Sequence, residues 1–451
     1  MPHSQNVLHA EDMSSPLPNA VKGFFAGPPF SPLDYLTSLH TVPFTASVVA
    51  GIALRCHGVS PVWSALAFTT GLFMSVTLFV LLPLPILVPL GGRYHVGMVH
   101  VDGRRAQSLP PLAVFYPTDV PPPKKGVPYV PFNDNRFIRG IASYAGIPFY
   151  VLRDTLFVRL RVSPNATPVP MFNSMGQQLP IIVFSHGLSA YHRLYSCLLL
   201  DIAARGAIVV AVGHGDGSAS FMRDSGSERN EVEFKHLNWE PAVREVQLVQ
   251  RVKEIRGTLN HLTEGFWRTL GYAESDIKRH LSQPLRVHLS GHSFGGATML
   301  ATALQEEHVS KEGPVQSVFV FDPWHVPLQN ECFYKPIADG RMKFTTPTHM
   351  IHSEQWVKDK SSWDFFQQVT DAVRAQTSFA SLSVTEKSTR FVAERSGDAN
   401  HMTASDISVL SPVLHGNTQA VVPPRVQIME WSNALLRFAR QHTPERGVTP
   451  K

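Results

Sequence analysis

The chain has 451 residues, 17% of them charged and 43% hydrophobic, with a formal net charge of +5. That length can bury a large core, and so low a charged fraction points to a membrane segment followed by one large folded domain. Lys and Arg are scattered without a basic stripe, which argues against nucleic-acid binding, and the three cysteines (Cys56, Cys197, Cys332) form no CxxC pair and no disulfide framework.

In chain order, residues 1–40 are rich in Ser, Pro and His and read as poorly ordered. Position 2 is not Gly, so N-myristoylation is excluded. The apolar run over residues 41–54 covers 14 positions, too few to cross a bilayer alone, and reads as an interfacial helix or half of a hairpin. Residues 63–90 hold no Asp, Glu, Lys, Arg or His over 28 positions, beyond the roughly 20 that span a bilayer. Pro83, Pro85 and Pro89 crowd the end of this run, so a regular helix is expected over about residues 64–82. Some 60 residues precede it, which argues against a cleaved signal peptide. Arg93, Arg104 and Arg105 follow the span closely while Arg55 alone precedes it, so the positive-inside rule places the large domain on the cytoplasmic side. The sequon Asn165-Ala166-Thr167 would point to the lumen if it were glycosylated.

From Arg93 onward, strand-like and helix-like segments alternate. Residues 179–184, 207–212, 285–290, 315–321 and 348–352 read as strands, and residues 388–392 show a less clean pattern read as a short strand. Between and after them, residues 191–204, 238–262, 361–375 and 426–441 read as helices. Cys197 sits in one of these as a small buried hydrophobe. The alternation implies an α/β fold with a mostly parallel sheet covered on both faces. The division expected is 1–40, a poorly ordered region; 41–92, a membrane-anchoring region; and 93–443, the α/β domain. Aromatic residues between Tyr129 and Phe157 read as core, with docking on lipid as the alternative.

The most informative stretch is Gly291-His292-Ser293-Phe294-Gly295-Gly296, between a strand and the helix-like run 297–304. It reads as a nucleophile elbow, the signature of α/β-hydrolase folds, whose strained turn needs tiny residues two positions either side of the serine. A serine hydroxyl is a weak nucleophile and needs a base held by a carboxylate, in the chain order Ser, acid, His. Asp322 directly follows a strand, at the sheet edge where such groups gather. His401, in the turn-rich loop Gly397-Asp398-Ala399-Asn400-His401, suits the base, with His352 as the competing histidine; His415 and His442 read as solvated. Two backbone N–H donors would stabilise an oxyanion: Phe294, after the serine, and Leu188, in the turn Ser185-His186-Gly187-Leu188. The glycine-rich run Gly213-His214-Gly215-Asp216-Gly217 reads as a flexible loop, since it lacks metal-ligand or P-loop spacing. No cofactor or metal is expected, and nothing calls for an obligate protein partner.

Taken together, four stretches resemble the platelet-activating-factor acetylhydrolase family of the plasma and intracellular type II kind. They are Val183-Phe184-Ser185-His186-Gly187-Leu188, Leu194-Tyr195-Ser196, the elbow through Ala297-Thr298, and Asp322-Pro323-Trp324. The segment from His349 to Glu354 is similar to the family's strand before its histidine loop. The resemblance runs from about Arg93 to Gln441. It implies Ser293 as nucleophile, Asp322 as acid, His401 rather than His352 as base, and Leu188 and Phe294 as oxyanion donors. It further implies calcium-independent hydrolysis of the sn-2 acetyl, short or oxidised acyl chain of phospholipids, with phospholipid and the bilayer as partners. A broader carboxylesterase or lipase, or a silent membrane-bound binding module, are the alternatives. Two departures bear on acyl preference: residues 213–219 keep few of the family's charged residues, and the step from Ser293 to Asp322 is a little long.

Overall fold

The computed structural model describes residues 40–81, 86–104, 108–223, 231–310, 313–376, 381–383, 391–397, 399–410 and 422–443. The expected disorder of the N-terminal region, together with Arg105, Asp398 and His415, lies outside the described residues.

Two helices open the described chain, α1 (Val42–Cys56) and α2 (Pro61–Leu81). They pack as a hairpin: Ser64 Oγ donates to the Gly51 carbonyl (3.1 Å) and Phe44 meets Phe68 edge-on at 5.1 Å. At Gly71 a Cβ would lie 2.1 Å from Ser47 Oγ, so only glycine permits this approach. Of the two alternatives for the run over residues 41–54, the structure takes the hairpin. The outer surface is bare apolar side chains, including Val49, Ile52, Phe73 and Met74. Among the described residues, one helix, with the window Pro61–Leu78, is long and apolar enough to cross a membrane. The uncharged run extends to residue 90, but the helix ends earlier and Ile86–Leu87 pairs instead with Arg159–Leu160. A buried hydrogen bond of 2.6 Å between His40 and Asp154 fastens the start of the hairpin beside that same segment.

The rest builds on a nine-stranded sheet. Its strands are β1 (His95–Val101), β2 (Leu112–Thr118), β3 (Ser163–Pro164), β4 (Ile181–Ser185), β5 (Ile208–Val212), β6 (Val287–His292), β7 (Val315–Phe321), β8 (Thr348–Ser353) and β9 (Phe391–Ser396). Their spatial order is β9-β8-β7-β6-β4-β5-β2-β1-β3. Only β2 runs against its neighbours; every other pairing is parallel. The larger helices after the hairpin are α3 (Arg136–Ala145), α4 (Ser196–Ala204), α5 (Pro241–His261), α6 (Phe294–Val309), α7 (Lys360–Ala375) and α8 (Pro424–Gln441).

Side chains alternate along the central strands and feed two cores. Ile182, Phe184, Val209, Ala211, Phe319 and Phe321 pack beneath α4 and α8. Val183, Val210, Leu289, Val318 and Val320 pack beneath α5, α6 and α7. Both faces being covered explains why these strands read as unbroken apolar runs. The helix read over residues 191–204 starts only at Ser196, because residues 191–195 form the turn that enters it. Of the short strand read at residues 388–392, Phe391 and Val392 fall in β9 and residues 388–390 lie outside the described residues. The aromatic stretch divides. Tyr129, Phe132 and Phe137 are core, whereas Tyr144 and Tyr150 are exposed.

Candidate active site

Parallel strands that end together bring together residues far apart in sequence. Ser293 follows β6 at φ 55°, a left-handed conformation that costs energy for a side-chain-bearing residue and turns its hydroxyl out of the strand. The flanking glycines make this turn possible: a Cβ on Gly291 would come 2.6 Å from the Gly295 backbone, and one on Gly295 would come 1.9 Å from the Ser185 carbonyl oxygen. Next door, Asp322 follows β7, also at positive φ (42°). The two turns are tied by backbone bonds: Ser293 N–H donates to the Phe321 carbonyl (2.9 Å) and Trp324 N–H to the Ser293 carbonyl (3.0 Å).

His401 reaches in from the loop after β9. Its Nε2 lies 3.2 Å from Ser293 Oγ and its Nδ1 3.1 Å from Asp322 Oδ2. The acceptor-only carboxylate fixes the proton on Nδ1, leaving Nε2 to accept from the serine. Ser353, the last residue of β8, gives Asp322 two more donors, its N–H to Oδ1 (2.6 Å) and its hydroxyl to Oδ2 (2.7 Å). Burial alone would raise the Asp322 carboxyl, but bonds from His401 and Ser353 outweigh it and hold the group below the usual carboxylate range. The structure therefore brings Ser293, His401 and Asp322 into one hydrogen-bonded line. It sends His352 elsewhere: that ring is buried between Trp363 and Phe366, and among the described residues neither nitrogen has a hydrogen-bond partner. His442, expected in solvent, packs on Phe438 instead.

The expected oxyanion donors flank the serine. Phe294 N–H opens α6, at the positive end of the helix dipole. Leu188 follows Gly187, whose Cβ position would lie 3.3 Å from Ser293 Cβ. Among the described residues, neither N–H donates to another protein group.

The loop over residues 213–217 departs from expectation. It is pinned, not flexible, because α5 presents a polar face to it. Arg251, fully buried, pairs with Asp216 (3.3 Å), donates to Ser218 Oγ and to the His186 carbonyl (2.7 Å), and lies over the Phe294 ring at 4.3 Å. His214 bridges Ser185 Oγ (2.8 Å) and Glu254 Oε2 (2.7 Å). This is a second Ser–His–carboxylate line, tighter than the first, and burial separates the two. Ser185 and His214 are both 0% exposed, whereas Ser293 retains 8%. Ser185 also lies within a regular strand and so lacks the outward turn of an elbow. Burial pushes the Glu254 carboxyl up to about 7. A separate groove of about 1500 Å³ runs along α8, and its lining includes none of Ser293, Asp322 and His401.

His292, Asp322 and His401 offer ligand-type atoms within 4.8 Å of one another. Those of His292 and His401 are already used as donors: His292 Nε2 bonds the His401 carbonyl (2.7 Å) and His401 Nδ1 bonds Asp322. All four ring nitrogens are engaged in hydrogen bonds that metal binding would break, so the donor set as bonded does not fit a metal. Tyr195 and Ser353 lay within the matched stretches without an assigned role, and Arg251 and Trp356, which covers the His401 ring, escaped the sequence reading. Ser353 carried a local signal as well, a helix N-cap serine at the end of a strand.

A family profile described as "Platelet-activating factor acetylhydrolase, isoform II" matches residues 86–442. Among curated relatives, the platelet-activating factor acetylhydrolase of Gallus gallus is 27% identical over 260 residues, covering 51% of this chain and 57% of the relative. That of Canis lupus familiaris is 29% identical over 290 residues, 60% of each, and that of Cavia porcellus 31% identical over 193 residues, 40% and 41%. The chain thus spans less than two thirds of the length of these relatives. Among solved structures, a ferulic acid esterase from Streptomyces cinnamoneus superposes with a TM-score of 0.53 at 16% identity, covering 80% of this chain and 94% of that one. At that identity the likeness speaks for the α/β-hydrolase fold alone.

Proposed function

The chain belongs to the platelet-activating factor acetylhydrolase, isoform II, family, and from that premise we propose that it is a membrane-tethered serine esterase cleaving the sn-2 acetyl, short or oxidised acyl chain of phospholipids. The observation that carries the proposal is the His401 imidazole bridging Ser293 Oγ and Asp322 at 3.2 and 3.1 Å.

In the first half-reaction, Ser293 Oγ attacks the ester carbonyl carbon while His401 Nε2 takes its proton. Asp322 holds the tautomer and stabilises the imidazolium that forms. The carbonyl oxygen becomes an oxyanion that Phe294 and Leu188 N–H groups receive. The C–O bond to the lysophospholipid then breaks, and His401 returns the proton to that leaving oxygen. In the second half, His401 draws a proton from water, whose oxygen attacks the acyl-enzyme. Collapse releases the short carboxylic acid and restores Ser293. No step draws on calcium.

Tethering is assigned to the α1–α2 hairpin, whose apolar exterior would be costly in water. Arg93 and Arg104, just past it, favour a cytoplasmic-facing hydrolase domain.

Purified protein with chelator present, given acetyl and long-chain phosphatidylcholine side by side, tests the substrate class. Preference for the acetyl substrate is expected, and equal rates would favour a broad esterase or lipase. Ser293→Ala should abolish turnover and fluorophosphonate labelling; retained turnover overturns the mechanism. Resistance of the protein to alkaline extraction from membranes tests the tether.

A further inference from the structure

Two residues of the matched motifs carry no role in the chemistry above, Tyr195 and His292, and the structure joins them directly behind the reacting groups. Tyr195 Oη lies 2.8 Å from His292 Nδ1 and receives the Gly187 N–H at 3.0 Å. His292 Nε2 lies 2.7 Å from the His401 carbonyl oxygen. All are buried.

The directions of these bonds follow from the atoms. A carbonyl oxygen only accepts, so His292 Nε2 carries the hydrogen. Burial, reinforced by His401, drives the His292 imidazole down to about 3, so it is neutral and its Nδ1 holds a lone pair. That nitrogen must accept from the Tyr195 hydroxyl, whose oxygen then accepts from Gly187. A one-way chain results: Gly187 N–H to Tyr195, Tyr195 O–H to His292, His292 N–H to the His401 carbonyl. One end is the backbone immediately before Leu188. The other is the backbone of His401 itself.

We propose that His292 and Tyr195 are positioning residues that set the distance between the base-bearing loop and the oxyanion turn. Neither touches substrate. The pair acts by fixing two backbone segments, at Gly187 and His401, that are far apart in sequence and share no strand. A chain with a single permitted direction is suited to this, because no member can reverse and release its neighbour. Without it, the His401 loop would rest on the Asp322 and Gln355 contacts and on anchors further along the loop. The placement of reacting groups tolerates little drift, since misplacement of about 1 Å can cost about 100-fold in rate.

The proposal rests on Ser293 and His401 as the reacting groups, so the test uses p-nitrophenyl acetate, which is indifferent to phospholipid preference, and the whole chain. Active sites are counted by complete fluorophosphonate labelling, and kcat is expressed per labelled site. His292→Phe and Tyr195→Phe should lower kcat at least tenfold with KM within twofold. His292→Gln, which keeps an N–H able to reach the His401 carbonyl, should regain most of the His292→Phe loss. A pair that merely stabilised the fold would lower the melting temperature and the number of labelled sites while leaving kcat per site unchanged; that result overturns the proposal. So does a His292→Gln variant as slow as His292→Phe. Should His292→Phe fail to fold, Tyr195→Phe decides alone, since Phe fills the same space. An unlabelled or inactive parent protein would instead sink the serine esterase assignment.

Discussion

The indole of Trp356 lies flat on the His401 imidazole, with ring centroids 4.1 Å apart and planes within 8°. Its Nε1 donates to the Pro323 carbonyl (3.2 Å), so the indole is clamped to the Asp322 turn while it covers the base. An imidazole that becomes a cation during turnover gains from a π face, by about 0.5–2 kcal/mol. Trp356→Ala is therefore expected to lower kcat by about 2- to 30-fold, with Trp356→Phe recovering part of the loss. Steady-state kinetics on p-nitrophenyl acetate checks this, and unchanged kcat in Trp356→Ala would remove the indole from the mechanism.

Asp406, five residues beyond His401, is the cap of a distant helix. Its carboxylate accepts Ser196 N–H (2.6 Å) and Cys197 N–H (2.7 Å) at the start of α4, and its own N–H donates to the Leu194 carbonyl (2.8 Å). Asp406→Ala leaves two buried donors without acceptors. A lost cap of about 1 kcal/mol plus the desolvation of unpaired groups should reduce unfolding free energy by about 2–4 kcal/mol. Asp406→Asn, which keeps one acceptor oxygen, should lose less. Urea midpoints for the two variants measure the ordering.

Gly295 cannot become alanine without moving backbone, because the new Cβ would lie 1.9 Å from the Ser185 carbonyl oxygen and 2.8 Å from that of His186. No flexible side chain stands there to yield. Gly295→Ala should cost at least about 1–3 kcal/mol and disable Ser293 together with the oxyanion turn. In contrast, Gly265→Ala, where nothing lies within 4 Å of the added atom, should fold and label as the parent does. Comparing melting temperature and fluorophosphonate labelling for the pair tests the elbow without altering a reacting group.

The interior holds an unusual number of neutral histidines. Burial drives His288 and His292 down to about 3 and His352 and His280 to about 4, and holds His186, His192 and His214 well below the ordinary value. Between pH 6.5 and 4 the unfolded chain binds protons at these positions and the folded chain does not. Stability therefore falls as pH falls through that window, by about 2 kcal/mol per such histidine at pH 5. Glu254 and Asp406, raised by burial to about 7 and about 6, act in the opposite sense, binding protons more tightly when folded. Seven histidines outweigh two carboxyls, so the urea midpoint should drop steeply from pH 7 to pH 5. A flat profile would mean that these rings are not held neutral.

Much of the frame was readable from residue order. Gly291, Ser293 and Gly295 announce the elbow because its sterics depend on neighbours two positions away. The apolar runs at 179–184, 207–212 and 315–321 announce buried parallel strands because period and length are local properties. The uncharged run after residue 62 announces α2 for the same reason, and Pro83 announces its end near Leu81, whereas the pairing of Ile86 with Arg159 is a long-range contact that residue order does not show. The 213–217 loop shows the limit. Its glycines signal freedom, and that freedom is cancelled by Arg251 and Glu254, 35 and 40 residues away from their partners Asp216 and His214.

Residue order alone thus determined the strained serine turn, the parallel α/β frame and an apolar entry segment, all properties set by steric and hydrophobic relations among near neighbours. It also ranked His401 above His352 as the base, without showing the surroundings of either. Folding supplies the reason, burying His352 among aromatic rings and laying His401 between Ser293 and Asp322, 108 and 79 residues distant. The same holds for Trp356, Tyr195 and His292: a hydrogen bond or a ring stack spans a few ångströms of space, and only the packed sheet converts a hundred residues of chain into that distance.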